Sequence, residues 1–176
     1  MYADLPIVYL TVLVGLLVAA GVFLFRQVLK TRRVESTLSR LENKLTKEKG
    51  SAKDYYELGT IYLDKRLYAQ SVTLLKKALK AKDLDDLENK ALVQNALGFA
   101  YAAQEQYDLA IRQYKEAIEG MPEYPTAFNN LGFVYEKKQL AAQALEAYEQ
   151  ALTLDPKNTT AKRRAESLRK RLVPSS

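Results

Sequence analysis

Residues 95–101 read NALGFAY, and NNLGFVY returns at 129–135, so five of seven positions recur after an interval of 34 residues. A weaker copy, YELGTIY, occupies residues 56–62. Self-similarity at such a period marks a chain built from units that each leave an apolar face for the next to cover. This constrains the fold more than any bulk property, because the elements must stack in sequence order.

Taking the glycine of each copy as a ruler gives Gly59, Gly98 and Gly132, separated by 39 and then 34 residues. In the second copy Leu97 and Gly98 are followed by Tyr101, Ala110, Tyr114, Ala117 and Pro122; in the third, Leu131 and Gly132 lead to Tyr135, Ala144, Tyr148, Ala151 and Pro156. The first copy reads Leu58, Gly59, Tyr62, Ser71, Leu75, Ala78 and Asp83. The Leu-Gly-Tyr set falls on one face of a first helix and the Ala-Tyr-Ala set on one face of a second. Small residues let the two axes approach, Tyr or Leu is expected to fill the space between repeats, and Pro ends the second helix.

This spacing resembles the tetratricopeptide repeat (TPR), a helix–turn–helix unit. The resemblance covers residues 51–158, with repeats expected at about 52–85, 91–124 and 125–158. It implies an all-α solenoid. There are departures: Ser71 stands for Ala, Asp83 for Pro and Gln94 for a large aromatic, while Arg66, Glu105 and Gln139 stand where the family has a turn glycine. The acidic run DLDDLE at 83–88 supplies the longer first interval and is expected to lengthen the first pair or form a loop. An end of the stack needs a cap. Ala161, Ala165, Leu168 and Leu172 are helically spaced in 159–172, which reads as a capping helix before a frayed tail at 173–176.

Upstream, residues 5–25 carry no charge. As a helix they would span roughly 31 Å, matching a hydrocarbon core of about 30 Å. A transmembrane anchor at 1–25 is therefore expected. A cleaved signal peptide fits less well, since the basic residues Arg26, Lys30, Arg32 and Arg33 follow the apolar run and none precedes it. Those residues place the body on the cytoplasmic or equivalent side. Residues 26–50 then read as a basic amphipathic connecting helix. Its stripe of Val34, Leu38, Leu41 and Leu45 suits packing on the chain's own body, a homodimer or a partner's helix.

The net charge of +6 divides unevenly. Residues 26–49 carry eight Lys/Arg against three Asp/Glu, residues 159–176 six against one, and residues 50–158 thirteen against sixteen. Basicity that borders an apolar helix and a cap points to anionic lipid or acidic partners at Arg32, Arg33, Arg163, Arg164, Arg169 and Lys170, or to a solvated face. It does not point to nucleic acid. The chain has no Cys and no His, and it lacks a glycine-rich phosphate loop or a nucleophile–base pair. No enzyme activity, cofactor or metal is expected.

TPR geometry implies a concave groove lined by first helices, with Tyr56, Thr60, Asn95, Phe99, Asn129, Asn130 and Phe133 as the partner-binding residues. Phe99 and Phe133 share one repeat position, where they are either exposed or covered by neighbouring helices. TPR groups that bind the carboxyl-terminal tails of heat-shock chaperones use a clamp of Lys, Arg and Asn. Here Tyr56, Thr60, Ala96, Thr126 and Asn130 stand at those positions, and Asn130 alone agrees.

The order of parts, from the opening MYADLPIVYLTVLVG through a basic linker, three repeats and a basic cap, resembles the membrane-anchored TPR family that assembles or stabilises photosystem I in cyanobacteria and algal plastids. That resemblance implies a single-pass thylakoid protein, its N-terminus luminal and its repeats cytosolic or stromal. Its partners would be photosystem I subunits or assembly intermediates. A receptor for targeting peptides in import or secretion is the alternative, since the slightly acidic body could attract basic peptides.

Overall fold

Eight α-helices and no strand make up the described residues, 5–172, of the computed structural model; side chains are described from residue 8. The opening Met-Tyr-Ala-Asp and the tail at 173–176 lie outside them. The chain divides into two units, Met1–Lys47 and Glu48–Ser176. In the first unit a single helix, α1 (Leu5–Lys47), runs through both the expected anchor and the connecting helix without a break. None of its apolar window is buried, and by length and composition it could cross a membrane.

The second unit consists of α2 (Ala52–Asp64), α3 (Tyr68–Leu79), α4 (Leu87–Ala103), α5 (Tyr107–Gly120), α6 (Pro125–Lys137), α7 (Ala141–Leu154) and α8 (Thr159–Leu172). Each helix packs on its sequence neighbours. Two further contacts, α2 with α4 and α4 with α6, bring the first helices of successive pairs together. First helices that touch across a pair must lie on the inner side of the curve, so the stack is a solenoid with α2, α4 and α6 along its inner face.

Each pair is held by a bulky side chain against a glycine. The Tyr114 ring lies so close to Gly98 that a Cβ there would sit 2.7 Å from Cε1, and a Cβ at Gly132 would sit 2.9 Å from Cε1 of Tyr148. In the first pair Leu75 takes this role, at 3.0 Å from the corresponding Gly59 position. The ring thus fills the gap inside its own pair, where the sequence pattern had placed it between repeats. Alanines do the work between repeats: Ala91, Ala117 and Ala127, all fully buried, bring α4, α5 and α6 together beneath Ile118, Met121 and Tyr124.

The departures from the repeat pattern have local causes. Ser71 is fully buried because its hydroxyl donates to the Gly59 carbonyl at 2.8 Å, so a polar side chain is satisfied where Ala would otherwise pack. Asp83, at the Pro position, accepts the Ala52 N–H at 3.1 Å and ties the loop back to the start of α2. Gln94, in place of an aromatic, donates to Glu116 at 3.0 Å. The acidic insert forms a loop, one of the two outcomes expected of it, but the helix it lengthens is α4 of the second pair and not a helix of the first. Residues 80–86 form a loop, and Asp86 caps α4 through the Asn89 N–H at 3.0 Å. This starts α4 a turn ahead of residue 91 and gives it 17 residues against 13 in α6.

The three turns inside the pairs share one geometry. Arg66, Glu105 and Gln139 have φ of 60°, 60° and 61°, the left-handed region. The next residue then donates back across the helix end: Leu67 to Tyr62, Gln106 to Tyr101 and Leu140 to Tyr135, at 2.8, 2.9 and 2.9 Å. Those bonds satisfy carbonyls that the helix end leaves free. A non-glycine residue in this conformation is strained by roughly 1 kcal/mol or more.

Two outcomes follow for stability. Gly98→Ala should destabilise the stack by about 1–3 kcal/mol in urea denaturation, since Tyr114 is 1% exposed and has no room to retreat. An unchanged midpoint would remove the ring–glycine contact as the reason for the glycine. Arg66→Gly and Gln139→Gly should each raise stability by about 0.5–1 kcal/mol, because the turn keeps its backbone bonds and loses its strain; a lowered thermal midpoint would contradict this.

Candidate partner-binding groove

Because Gly98 and Gly132 face their tyrosines, the residue after each is turned away from the pair. Phe99 and Phe133 accordingly remain 47% and 38% exposed. They share a cleft of about 490 Å3 with Ala102, Asn129, Asn130 and Lys137, while Tyr114 and Tyr148 also line it. Two exposed rings on a rigid floor offer apolar contact area at little entropic cost.

Of the seven residues expected in the groove, the structure therefore brings four together: Phe99, Asn129, Asn130 and Phe133. Tyr56 lines a different cleft, of about 430 Å3, with Lys53, Asp83 and Asn89. The Thr60 hydroxyl donates to the Glu57 carbonyl at 2.9 Å within its own helix. Asn95 lines neither cleft. Its Oδ1 accepts from Asn130 Nδ2 at 3.1 Å, and its own Nδ2 donates to the Tyr124 hydroxyl at 3.1 Å. The two amides thus cross-link α4 with α6 and engage each other, where the sequence had them meeting a partner's backbone. Asn129 differs, since its Oδ1 is buried with no hydrogen-bond partner.

The basic residues of the cap also divide. Arg164 Nη1 lies 3.4 Å from Glu136 Oε2, and Arg169 holds Glu149 with Nη2 at 2.7 Å and Nε at 3.0 Å. Arg163 and Lys170 are exposed, as are Arg32 and Arg33 on α1. Arg164 and Thr160, from α8, line the Phe99–Phe133 cleft. Sequence reading gave Arg164 to anionic lipid, an acidic partner or a solvated face, without placing it in the groove, and overlooked Thr160 and Lys137. The available signal was the ruler itself: carried one more interval of 34 residues, Thr126 and Asn130 fall on Thr160 and Arg164. Lys137 follows Phe133 by one helical turn, its Nζ 5.5 Å from the ring centre.

Four tyrosines on these helices resist ionisation. Burial raises Tyr114 well above the ordinary phenol value of 10.0, with the neighbouring Tyr124 adding to it. Burial raises Tyr148 further, and its bond to Glu136, 2.7 Å from hydroxyl to Oε2, favours the protonated form. Burial also raises Tyr56 and Tyr124, the latter against the opposing effect of its Asn95 bond. All four hydroxyls are fixed neutral groups near neutral pH.

Profiles for the tetratricopeptide repeat match residues 52–83, 98–139 and 125–158. The ycf37 protein of Cyanophora paradoxa is 38% identical over 81% of this chain and 82% of its own length. This chain belongs to the ycf37 family of TPR proteins. PYG7 of Arabidopsis thaliana, a chloroplastic TPR-domain protein, is 35% identical over 93% of this chain, which spans 54% of PYG7. Among solved structures, the first TPR of Spaghetti bound to the HSP90 peptide SRMEEVD is similar in fold. Its TM-score is 0.63 at 20% identity, over 69% of this chain and 92% of that one. The TPR fold is a protein-interaction scaffold, and here both the Phe-lined cleft and the cleft beside Tyr56 open on it.

The tyrosine environment predicts a sensitivity to alkali. A phenol whose pKa is raised by folding contributes stability in full below its unfolded pKa, and that contribution is lost progressively as pH rises from the unfolded toward the folded value. Stability should be flat up to about pH 9 and fall above pH 10, with Tyr148→Phe showing a smaller fall, as read from urea midpoints. A midpoint independent of pH between 9 and 11 would contradict the buried phenols.

Proposed function

We propose that this protein is a membrane-anchored scaffold that holds an unassembled photosystem I subunit or an assembly intermediate beside the thylakoid membrane. The observation that carries the reading is the pair of exposed phenylalanines at equivalent repeat positions, lining one cleft in a protein of the ycf37 family. Two exposed rings gathered in one cleft offer a partner's apolar side chain a place to bury.

The apolar part of α1 supports the anchor. In lipid a helix satisfies its backbone within itself, and uncovered apolar side chains cease to be a cost. The basic residues after it favour an N-terminus in the lumen and repeats in the cytosol or stroma. Arg32 and Arg33 then meet anionic headgroups, at about 1 kcal/mol for each residue held near the surface. Arg163 and Lys170 of the cap remain available to lipid or to an acidic partner. The chloroplastic relative is in keeping with a photosynthetic compartment. The receptor reading is weaker, because the cleft presents Lys137 and Arg164 where a basic targeting peptide would need acids.

The full chain, tagged at its C-terminus and purified from solubilised thylakoids, should co-purify photosystem I subunits. Phe99→Ala with Phe133→Ala should reduce that capture roughly tenfold with the helical signal unchanged. Capture of other proteins alone, or release of the protein from membranes by alkaline carbonate, would refute the scaffold as proposed.

A further inference from the structure

The Phe99–Phe133 cleft has an uneven distribution of charge. It is lined by the cations Lys137 and Arg164 and by one acid, Glu105 of the α4–α5 turn. Among the described residues Lys137 pairs with no carboxylate; its ammonium group rests over the Phe133 ring. Arg164 is committed only loosely. Glu136 Oε2 already accepts the Tyr148 hydroxyl at 2.7 Å, and Arg164 Nη1 approaches the same oxygen at 3.4 Å. The Arg164 side chain lines the cleft and is 41% exposed, while that of Glu136 is 18% exposed. A guanidinium carries five N–H groups, and one long contact leaves most of them free.

Resting on the scaffold reading above, we propose that this cleft selects an extended protein segment in which a bulky apolar side chain is followed, within a few residues, by a carboxylate. The apolar side chain lies between Phe99 and Phe133. The carboxylate meets Lys137 and Arg164. Binding draws Arg164 from a shared, longer contact into a charge-assisted bond of its own, while Glu136 keeps the Tyr148 hydroxyl. Of the positions at which TPR groups that grip chaperone tails carry their clamp, Asn130 lines this cleft, whereas Tyr56, Thr60, Ala96 and Thr126 do not.

The test uses the full chain in lipid nanodiscs and fluorescence anisotropy with a labelled peptide, Ser-Gly-Leu-Phe-Glu-Asp-Gly. Two controls replace Glu-Asp by Lys-Lys and Leu-Phe by Gly-Gly. The acidic apolar peptide should bind at least roughly tenfold tighter than either control. Lys137→Glu, a change on an exposed side chain, should weaken it about fivefold and narrow the preference over the lysine version. Phe133→Ala should weaken both charged peptides alike. Equal binding of the acidic and lysine peptides, or a preference untouched by Lys137→Glu, would overturn the proposal. If the chain still captured photosystem subunits in that event, the scaffold reading would stand and only this selectivity would fall.

Discussion

The contact between a flat ring and a bare backbone underlies the rest of this molecule. Tyr114 on Gly98, and Tyr148 on Gly132, set how closely two helices of a pair approach. A ring held at that distance cannot swing, so its hydroxyl is delivered to a fixed place, and for Tyr148 that place is Glu136. The same glycine, by turning its own face inward, turns the following Phe outward. Pair packing and the exposure of the cleft are therefore one geometric fact. In the first pair Leu75 replaces the ring and Thr60 follows the glycine, so no aromatic wall forms there. The two exposed rings belong to the second and third repeats for this reason.

Features that depend on one helix pair could be read from the sequence, because spacing within a pair is fixed by helical geometry. The Leu-Gly-Tyr and Ala-Tyr-Ala sets fall into this class, as do the turn positions Arg66, Glu105 and Gln139. There the backbone bonds to Tyr62, Tyr101 and Tyr135 fix the conformation, and the side chain is tolerated. Features that depend on the angle between pairs were not readable. Asn95 and Asn130 meet across that angle, and their types announced polar contact without saying with what. Arg164 was hidden for another reason: among so many cations in 159–172 its composition is ordinary, and only its register distinguishes it. The acidic insert contains several Asp, and their types alone did not say that Asp83 would engage Ala52 while Asp86 caps α4.

The amide bridge has a consequence for where a client can sit. By linking Tyr124, Asn95 and Asn130, it closes the middle of the inner face with side chains that satisfy one another. A partner reaching that stretch would have to replace bonds already made, at little net gain, because exchanging one neutral hydrogen bond for another is close to neutral. Beyond the bridge, Asn129 Oδ1 is unpartnered and the two Phe are uncovered. The energetic gradient along the face runs toward the cap.

That gradient gives α8 two duties, and they are separable on the helix. Ala161, Ala165 and Leu168 are buried and end the stack, as any cap must. Thr160 and Arg164 open onto the cleft instead, at positions one repeat interval beyond Thr126 and Asn130. A helix that only sealed the solenoid would have no need for a cation whose nearest carboxylate oxygen is already engaged by a tyrosine. The Arg164–Glu136–Tyr148 arrangement makes sense when the arginine has somewhere else to go: Glu136 holds it in place while the cleft is open, without holding it tightly enough to compete with an arriving carboxylate.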